Sequence, residues 1–273
     1  MKISTILNTR KIQNFGTTYK KVYKDNGELD HESSTHFFVQ DIQWNRLFNE
    51  LTKKYKDTPK VNVYSLACSD GSEALSIAIL LLTKLQDKAN KYFPIIAVDL
   101  DKEVMKLAQS GYIYLSNDDE LRINKYTNNN LNKYFERTDK TYLTDRIGSS
   151  DRREFLTLFK IKPILKDKVI FINDNVENFI PTIPDKDNLI FCRNCWPYFF
   201  KNEHKIAKKL SQKTDKNSYL ITGDYDFLFC PMKNKNCYGF SMHKELNNVF
   251  DKSGSNYFDD MRFIFGGKYN EDI

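Results

Sequence analysis

The stretch Val61–Ala78 constrains this chain most. Val-Asn-Val-Tyr-Ser-Leu reads as a buried strand, Gly71 as a tight turn, and Ser72-Glu-Ala-Leu-Ser-Ile-Ala as the start of a helix. A second apolar strand, Ile95–Val98, follows and ends on Asp99. A strand, a glycine turn, a helix and then an acid at the next strand's tip is how a Rossmann-type sheet presents itself to a ribose. Nucleotide or nucleoside binding is therefore the first expectation.

The rest of the chain fits one large α/β unit. A helix is expected from Gln40 or Asp41 to about Tyr55, with Ile42, Trp44, Leu47, Phe48 and Leu51 on one face. The glycine turn opens a helix expected to reach about Ala89. Asp101 reads as the cap of a helix that Gly111 ends. Further strands are expected at Val169–Ile172, Leu189–Cys192 and Ser218–Thr222, with a helix over 203–210 between the last two. Residues 112–165 read as charged turns and short apolar runs, hence a small antiparallel insertion near 130–170. Residues 1–32 are polar and weakly periodic, a short N-terminal segment ahead of a domain over 33–273. Strands alternating with helices predict a Rossmann-like sheet with helices on both faces.

Composition narrows the chemistry. Among 273 residues the formal charge is +6, with lysines interspersed among acids. Nucleic-acid binding calls for a concentrated basic stripe; Tyr19–Lys24 is the nearest candidate and reads as a solvated edge. No apolar run reaches membrane-span length and no secretory pattern opens the chain, so a cytoplasmic monomer is expected, with no membrane insertion and no nucleic acid. The five cysteines lack a disulfide-scaffold spacing. Cys192 and Cys195 ending an apolar strand, with Cys230 and Cys237 loosely spaced, make a poor zinc set, so no metal is expected.

In a doubly wound sheet, ligands sit beyond the carboxyl ends of the strands. Polar residues collect at those ends: Ser69, Asp70, Gly71, Ser72 and Glu73, then Asp99, then Asn175, then Asn194. Each alone reads as a turn former or helix cap; four groups at one edge read as a site. There is no Gly-x-Gly-x-x-Gly and no Walker lysine, so the loop is poorly suited to phosphates. A phosphate-free adenosyl ligand fits better, and S-adenosylmethionine is the common one.

At this point four blocks, Thr35-His-Phe-Phe, Ala67-Cys-Ser-Asp-Gly-Ser-Glu73, Asp99-Leu-Asp with Ala108-Gln-Ser-Gly-Tyr112, and Phe191-Cys-Arg-Asn194-Cys-Trp-Pro-Tyr198, resemble the CheR-type chemotaxis-receptor glutamate O-methyltransferases. The resemblance covers about residues 33–224 and implies an S-adenosylmethionine-dependent enzyme that esterifies glutamates of a helical receptor protein, releasing S-adenosylhomocysteine. It implies that Glu73 and Asp99 hold the methionine amino group and the ribose. It further implies that Asn175, Val176, Asn194 and Cys195 line the cofactor beside Ser69 and Gly71, and that Thr35 lies near the methionyl end. The insertion would match a small β-subdomain. This chain departs from the pattern in three ways. Val39 stands where the family carries an arginine, Gly71-Ser-Glu keeps only the second of two acids, and little of the family's helical N-terminal domain precedes Thr35.

Tyr198 reads either as a residue near the transferred methyl group or as a half-buried tyrosine at a helix edge. Arg193 reads either as the cation that pairs with the acceptor or as an internal salt bridge. His36 and His204 read as packing or capping residues. Two functions follow: a methyltransferase acting on a protein carboxylate, and a catalytically weak binder of the cofactor or its product that acts as a sensor or interaction module, the latter favoured by Val39.

Overall fold

The computed structural model describes residues 20–23, 29–33, 35–144, 154–199, 202–224, 226, 240–242, 246 and 248–252. In chain order the elements are β1 (Lys20–Tyr23), β2 (Leu29–Ser33), α1 (Trp44–Lys54), β3 (Asn62–Leu66), α2 (Ser72–Leu85), β4 (Ile95–Asp99), α3 (Lys102–Ser110), β5 (Tyr112–Ser116), α4 (Asn117–Thr127), β6 (Phe135–Thr144), β7 (Glu154–Ile161), α5 (Pro163–Lys166), β8 (Val169–Asn173), α6 (Val176–Phe179), β9 (Asn188–Cys192), α7 (Glu203–Gln212), β10 (Tyr219–Ile221), β11 (Phe240–Met242) and β12 (Val249–Lys252).

The central sheet runs β11-β12-β10-β9-β3-β4-β8. Its five strands from β10 to β8 are parallel, and β12 and β11 add an antiparallel edge. From β3 the chain winds outward to β4 and β8, then returns to place β9 on the other side of β3. Strand order therefore reverses between β3 and β9, which opens a crevice at their carboxyl ends. The sheet is the Rossmann-like one expected.

Both faces of the sheet are covered, which is why its strands are apolar almost throughout. One face carries Val63, Ile95, Ala97, Leu189, Phe191 and Tyr219 toward α1 and α2. The opposite face carries Tyr64, Leu66, Val98, Ile190, Cys192 and Leu220 toward α6 and α7. Every residue of α2 from Ser72 to Leu81 is buried, because α4 packs on the side that the sheet does not cover. A helix apolar on all sides has no other stable location in water. Fully burying a Leu or Ile side chain contributes about 1.5–3 kcal/mol, so α2 is firmly seated before any site chemistry begins.

The insertion is a three-stranded antiparallel sheet ordered β5-β7-β6, with an irregularity in β6 between Arg137 and Thr141. Its first strand, β5, lies at Tyr112–Ser116, ahead of the bounds read from the sequence. Gly111 at φ 84° ends α3 in the left-handed region and turns the chain directly into it. α4 then starts with a capping box in which Ser116 and Asp119 satisfy each other's backbone N–H.

Several boundaries differ from expectation. The first helix begins at Trp44 instead of Gln40 or Asp41, since 35–43 forms turns whose polar groups bond elsewhere. α2 stops at Leu85 and continues as a 3-10 turn over Gln86–Tyr92. The polar N-terminal segment holds β1 and all but the last residue of β2, which pair antiparallel, and the Tyr19–Lys24 run falls partly on β1. Cys230, Cys237, Arg262–Phe265 and Gly266–Gly267 lie outside the described residues. Among the described residues no helix is long and apolar enough to cross a membrane.

Candidate functional site

The loop leaving β3 is built from alternating backbone hands. Ala67, Ser69 and Gly71 have φ of 56°, 52° and 85°. Left-handed conformations in non-glycine residues cost about 1–2 kcal/mol each, so the surrounding bonds must hold them. Cys68 N donates to Val98 O at 3.0 Å and Gly71 N to Cys68 O at 3.1 Å. Ser69 N donates to Asp99 Oδ2 at 2.7 Å. Gly71 alone is a steric necessity, because a Cβ there would lie 2.9 Å from Phe171 Cζ and nearer still to Cε1.

Asp99, at the tip of β4, also accepts from Asp101 N at 2.9 Å. Burial raises its pKa, with the N–H donors of Asp101 and Ser69 opposing. Leu100, the next residue, is 67% exposed, an apolar side chain left uncovered at the rim of the crevice. Asn173 Nδ2 donates to Asp99 O and Leu100 O, both at 3.0 Å, and so fixes the β4 tip to β8. Asn175 caps α6 by accepting from Glu177 N at 2.8 Å and is exposed; Val176 beside it is buried.

Glu73 sits in the first turn of α2 and is 9% exposed. Its Oε1 accepts from Ser65 Oγ and its Oε2 from Arg193, both at 2.7 Å. Arg193, 6% exposed, also pairs with Asp41 Oδ1 and lies over the Trp44 ring. Burial opposes the Arg193 charge, but Asp41 and Glu73 outweigh it and its pKa is raised. Arg193 Nε is buried with no hydrogen-bond partner among the described residues. The guanidinium is thus engaged inside the protein by two carboxylates, as in the internal-salt-bridge reading.

Asn194, at φ 55°, follows the end of β9. Its side chain donates to Asp41 Oδ2 at 3.2 Å and its backbone N to Asp226 Oδ2 at 2.8 Å. Cys195 is buried, and its sulfur is 3.4 Å from that of Cys192, both as free thiols. Burial and the Cys192 contact push the Cys195 thiol up, away from the thiolate that reacts or binds metal. Among the described residues no group of three or more acids, cysteines or histidines is placed to hold a metal. Tyr198 is on the 3-10 turn Trp196–Phe199 and is 71% exposed.

Thr35 opens the turn that leads to these groups. Phe37 N donates to Asp119 Oδ1 at 2.9 Å and Phe38 N to Ser76 Oγ at 3.0 Å, which holds the turn against α4 and α2. His36 Nδ1 lies 3.3 Å from Asp119 Oδ1, a packing partnership within the fold. Val39 O accepts from Trp44 Nε1 at 3.0 Å.

Neighbouring strands are about 4.8 Å apart, so the β4 and β9 tips that flank β3 span about 10 Å. Glu73, Arg193, Asn194 and Asp41 gather at the β9 side, while Asp99, Ser69 and Leu100 gather at the β4 side. Asp41, Asp224 and Asp226 are the site neighbours that sequence reading missed. The only local signal was Gly223 ending β10; Asp41 gave none, because its partners are far along the chain.

The residues present suit S-adenosylmethionine. The N-terminus of α2 already faces Asp70, which accepts from Ser72 N at 2.9 Å, and Glu73, so a phosphate there would meet two acids. Around Arg193 the acids outnumber the cation, which favours a sulfonium and an ammonium over an anion.

Comparison with known proteins agrees with this chemistry. The family described as CheR methyltransferase, SAM binding domain, matches residues 33–244. A chemotaxis protein methyltransferase of Borreliella burgdorferi is 28% identical over 238 residues, covering 81% of this chain and 77% of that protein. A probable chemotaxis protein methyltransferase of Rhizobium etli is 23% identical, covering 76% of this chain and 66% of that one. A chemotaxis protein methyltransferase of Listeria monocytogenes is 22% identical, covering 91% and 86%.

Proposed function

The chain belongs to the CheR methyltransferase family and is an S-adenosylmethionine-dependent methyltransferase, and from that premise we propose that it esterifies glutamate side chains of a chemoreceptor-like helical protein, leaving S-adenosylhomocysteine. The observation that carries this reading is the gathering of Glu73, Arg193 and Asn194 at the β3/β9 reversal, with Asp99 one strand away. When bound, the cofactor supplies a methyl group made electrophilic by its sulfonium.

Asp99, with Ser69 and Gly71 on the adjoining loop, would hold the ribose hydroxyls, and the exposed Leu100 beside it would offer an apolar contact. Asn175 and Val176 would line the cofactor beside them. Glu73, Asn194, Cys195 and Thr35 would hold the methionyl end. Arg193 holds Glu73 and Asp41 in place and does not touch the acceptor. Tyr198, exposed on its turn, meets the incoming protein and donates its hydroxyl to an acceptor oxygen.

A glutamate carboxyl has an ordinary pKa of about 4.3 and is ionised at pH 7, so no general base is required. The protein's task is orientation and exclusion of water, for which effective molarity accounts for about 7–11 kcal/mol of a barrier. The family arginine would have clamped the carboxylate by two parallel hydrogen bonds. Val39 has no such donors, so alignment would rest on Tyr198 and on the docked partner. The names of the relatives support turnover over a purely sensory role.

The test is incubation with methyl-tritiated S-adenosylmethionine and helical peptides carrying receptor-type glutamate pairs. Label released as methanol by mild alkali is the expected result. Alkali-stable label, or none with every acceptor, would overturn the carboxylate assignment.

A further inference from the structure

We propose that Asp226 is a positioning residue for the cofactor site: its carboxylate clasps the backbone of the β9 and β10 tips together and thereby sets the orientation of Asn194. The inference rests on the reading of Asn194 as a cofactor-lining residue.

Asp226 is 1% exposed and accepts three backbone N–H groups from two chain segments. Asn194 N donates to Oδ2 at 2.8 Å, Trp196 N to Oδ1 at 3.1 Å, and Gly223 N to Oδ2 at 2.6 Å. Asn194 and Trp196 bracket Cys195, so the carboxylate governs the whole turn that leaves β9. That turn requires Asn194 at φ 55°, a conformation that does not hold itself. The second side of the clasp matters equally. A Cβ on Gly223 would lie 2.5 Å from Asn194 Cγ, so Gly223 forms the wall on which the Asn194 carboxamide rests. From there the carboxamide reaches Asp41 Oδ2 at 3.2 Å. Moving either tip moves that amide.

Both carboxylate oxygens are engaged by N–H donors, and a proton on either one would face a donor. The clasp therefore belongs to the ionised form. The charged and titratable groups around it are Arg193 and Cys195 from the β9 turn, Cys192 at the end of β9, Asp224 from the β10 turn, and Asp41 and Glu73 through their pairing with Arg193. Burial pushes the Asp226 carboxyl up to about 7, against the three N–H donors and Arg193. The clasp thus tightens as pH rises through neutrality.

The experiment measures S-adenosylhomocysteine binding by calorimetry from pH 6 to 8, together with thermal midpoints and steady-state kinetics, for the wild-type protein, D226N and D226E. Wild-type affinity should rise severalfold across this range. D226N should bind about tenfold more weakly at pH 8, with a flat pH profile and a larger change in KM for the methyl donor than in kcat. D226E, which restores a carboxylate, should recover part of both the affinity and the pH dependence. A wild-type profile flat from pH 6 to 8, or D226N binding as the wild type does while only its melting point falls, would reduce Asp226 to a structural residue and overturn the proposal. Wild-type protein that binds no S-adenosylhomocysteine at any pH would instead overturn the reading of the site itself, and the inference with it.

Discussion

Replacing Arg193 by Met leaves Glu73 and Asp41 without their shared cation. The side chains of Arg193, Glu73 and Asp41 are 3%, 10% and 8% exposed, so water cannot take the place of the guanidinium. Removing one partner from a buried ion cluster costs about 3–5 kcal/mol, since uncompensated charge remains in a poorly polarisable interior. Lys53, 70% exposed beside Glu50, offers the contrast: surface pairs contribute about 0–1 kcal/mol, and K53M should fall in that range. Urea unfolding followed by circular dichroism measures both variants. R193M should lower the transition midpoint with little change in slope, and K53M should not. The triple variant R193M/E73Q/D41N removes the three paired charges together, leaving Asp224 and Asp226 in place, and should recover more than half of the loss. Two results would refute the reasoning: R193M within about 1 kcal/mol of wild type, or a triple variant as unstable as the single one.

Gly71→Ala should cost at least about 2 kcal/mol by urea unfolding, from the left-handed backbone and from contact with Phe171. Adding Phe171→Leu should relieve only the contact part. Tyr198→Phe, at an exposed position, should leave the melting point and S-adenosylhomocysteine affinity unchanged while slowing methylation about tenfold, equivalent to about 1.4 kcal/mol in the barrier. Unchanged turnover would remove Tyr198 from the acceptor site. The Asp226 carboxyl also predicts a stability trend opposite in sign to the affinity trend. Its pKa is raised from 3.8 to about 7 in the folded protein, so the folded state holds the extra proton between those values. That contribution to stability is complete below the lower value and is lost as pH rises through the upper one, and D226N should abolish it in urea titrations.

What was legible in the sequence was local. The glycine turn at Gly71, the Asp101 cap and the Gly111 stop of α3 each rest on backbone chemistry within a few residues, and all are present. The parallel strands were readable as apolar runs bounded by polar tips. The β1–β2 hairpin was not, because Lys-Lys-Val-Tyr and Leu-Asp-His-Glu-Ser lack the apolar alternation of a half-buried strand. β5 escaped notice because it follows a helix stop immediately and pairs with β7, far along the chain.

The site divides the same way. Residues at strand tips could be nominated from position, but the Asp41–Arg193 pair joins residues 152 apart in sequence. Ile42 extends the apolar face of α1 in the sequence and so predicts a helix from Asp41, about one turn ahead of the observed start at Trp44. Arg193 is ambiguous in the sequence because both of its partners, Glu73 and Asp41, are far along the chain. Asp226 lay beyond a glycine that reads only as a strand end, and its role depends on two chain segments meeting.

We infer that the polar tips at the β3/β9 reversal and at β4 form one site for a phosphate-free adenosyl sulfur compound. Calorimetric titration of wild type and D99N with S-adenosylmethionine, S-adenosylhomocysteine, ADP and NAD tests it most directly. The wild type should show one site that binds both adenosyl sulfur compounds, is weakened about tenfold or more in D99N through the lost ribose contact, and does not measurably take the phosphate-bearing nucleotides. Tighter binding of ADP or NAD than of S-adenosylmethionine, or D99N binding as the wild type does, would contradict it.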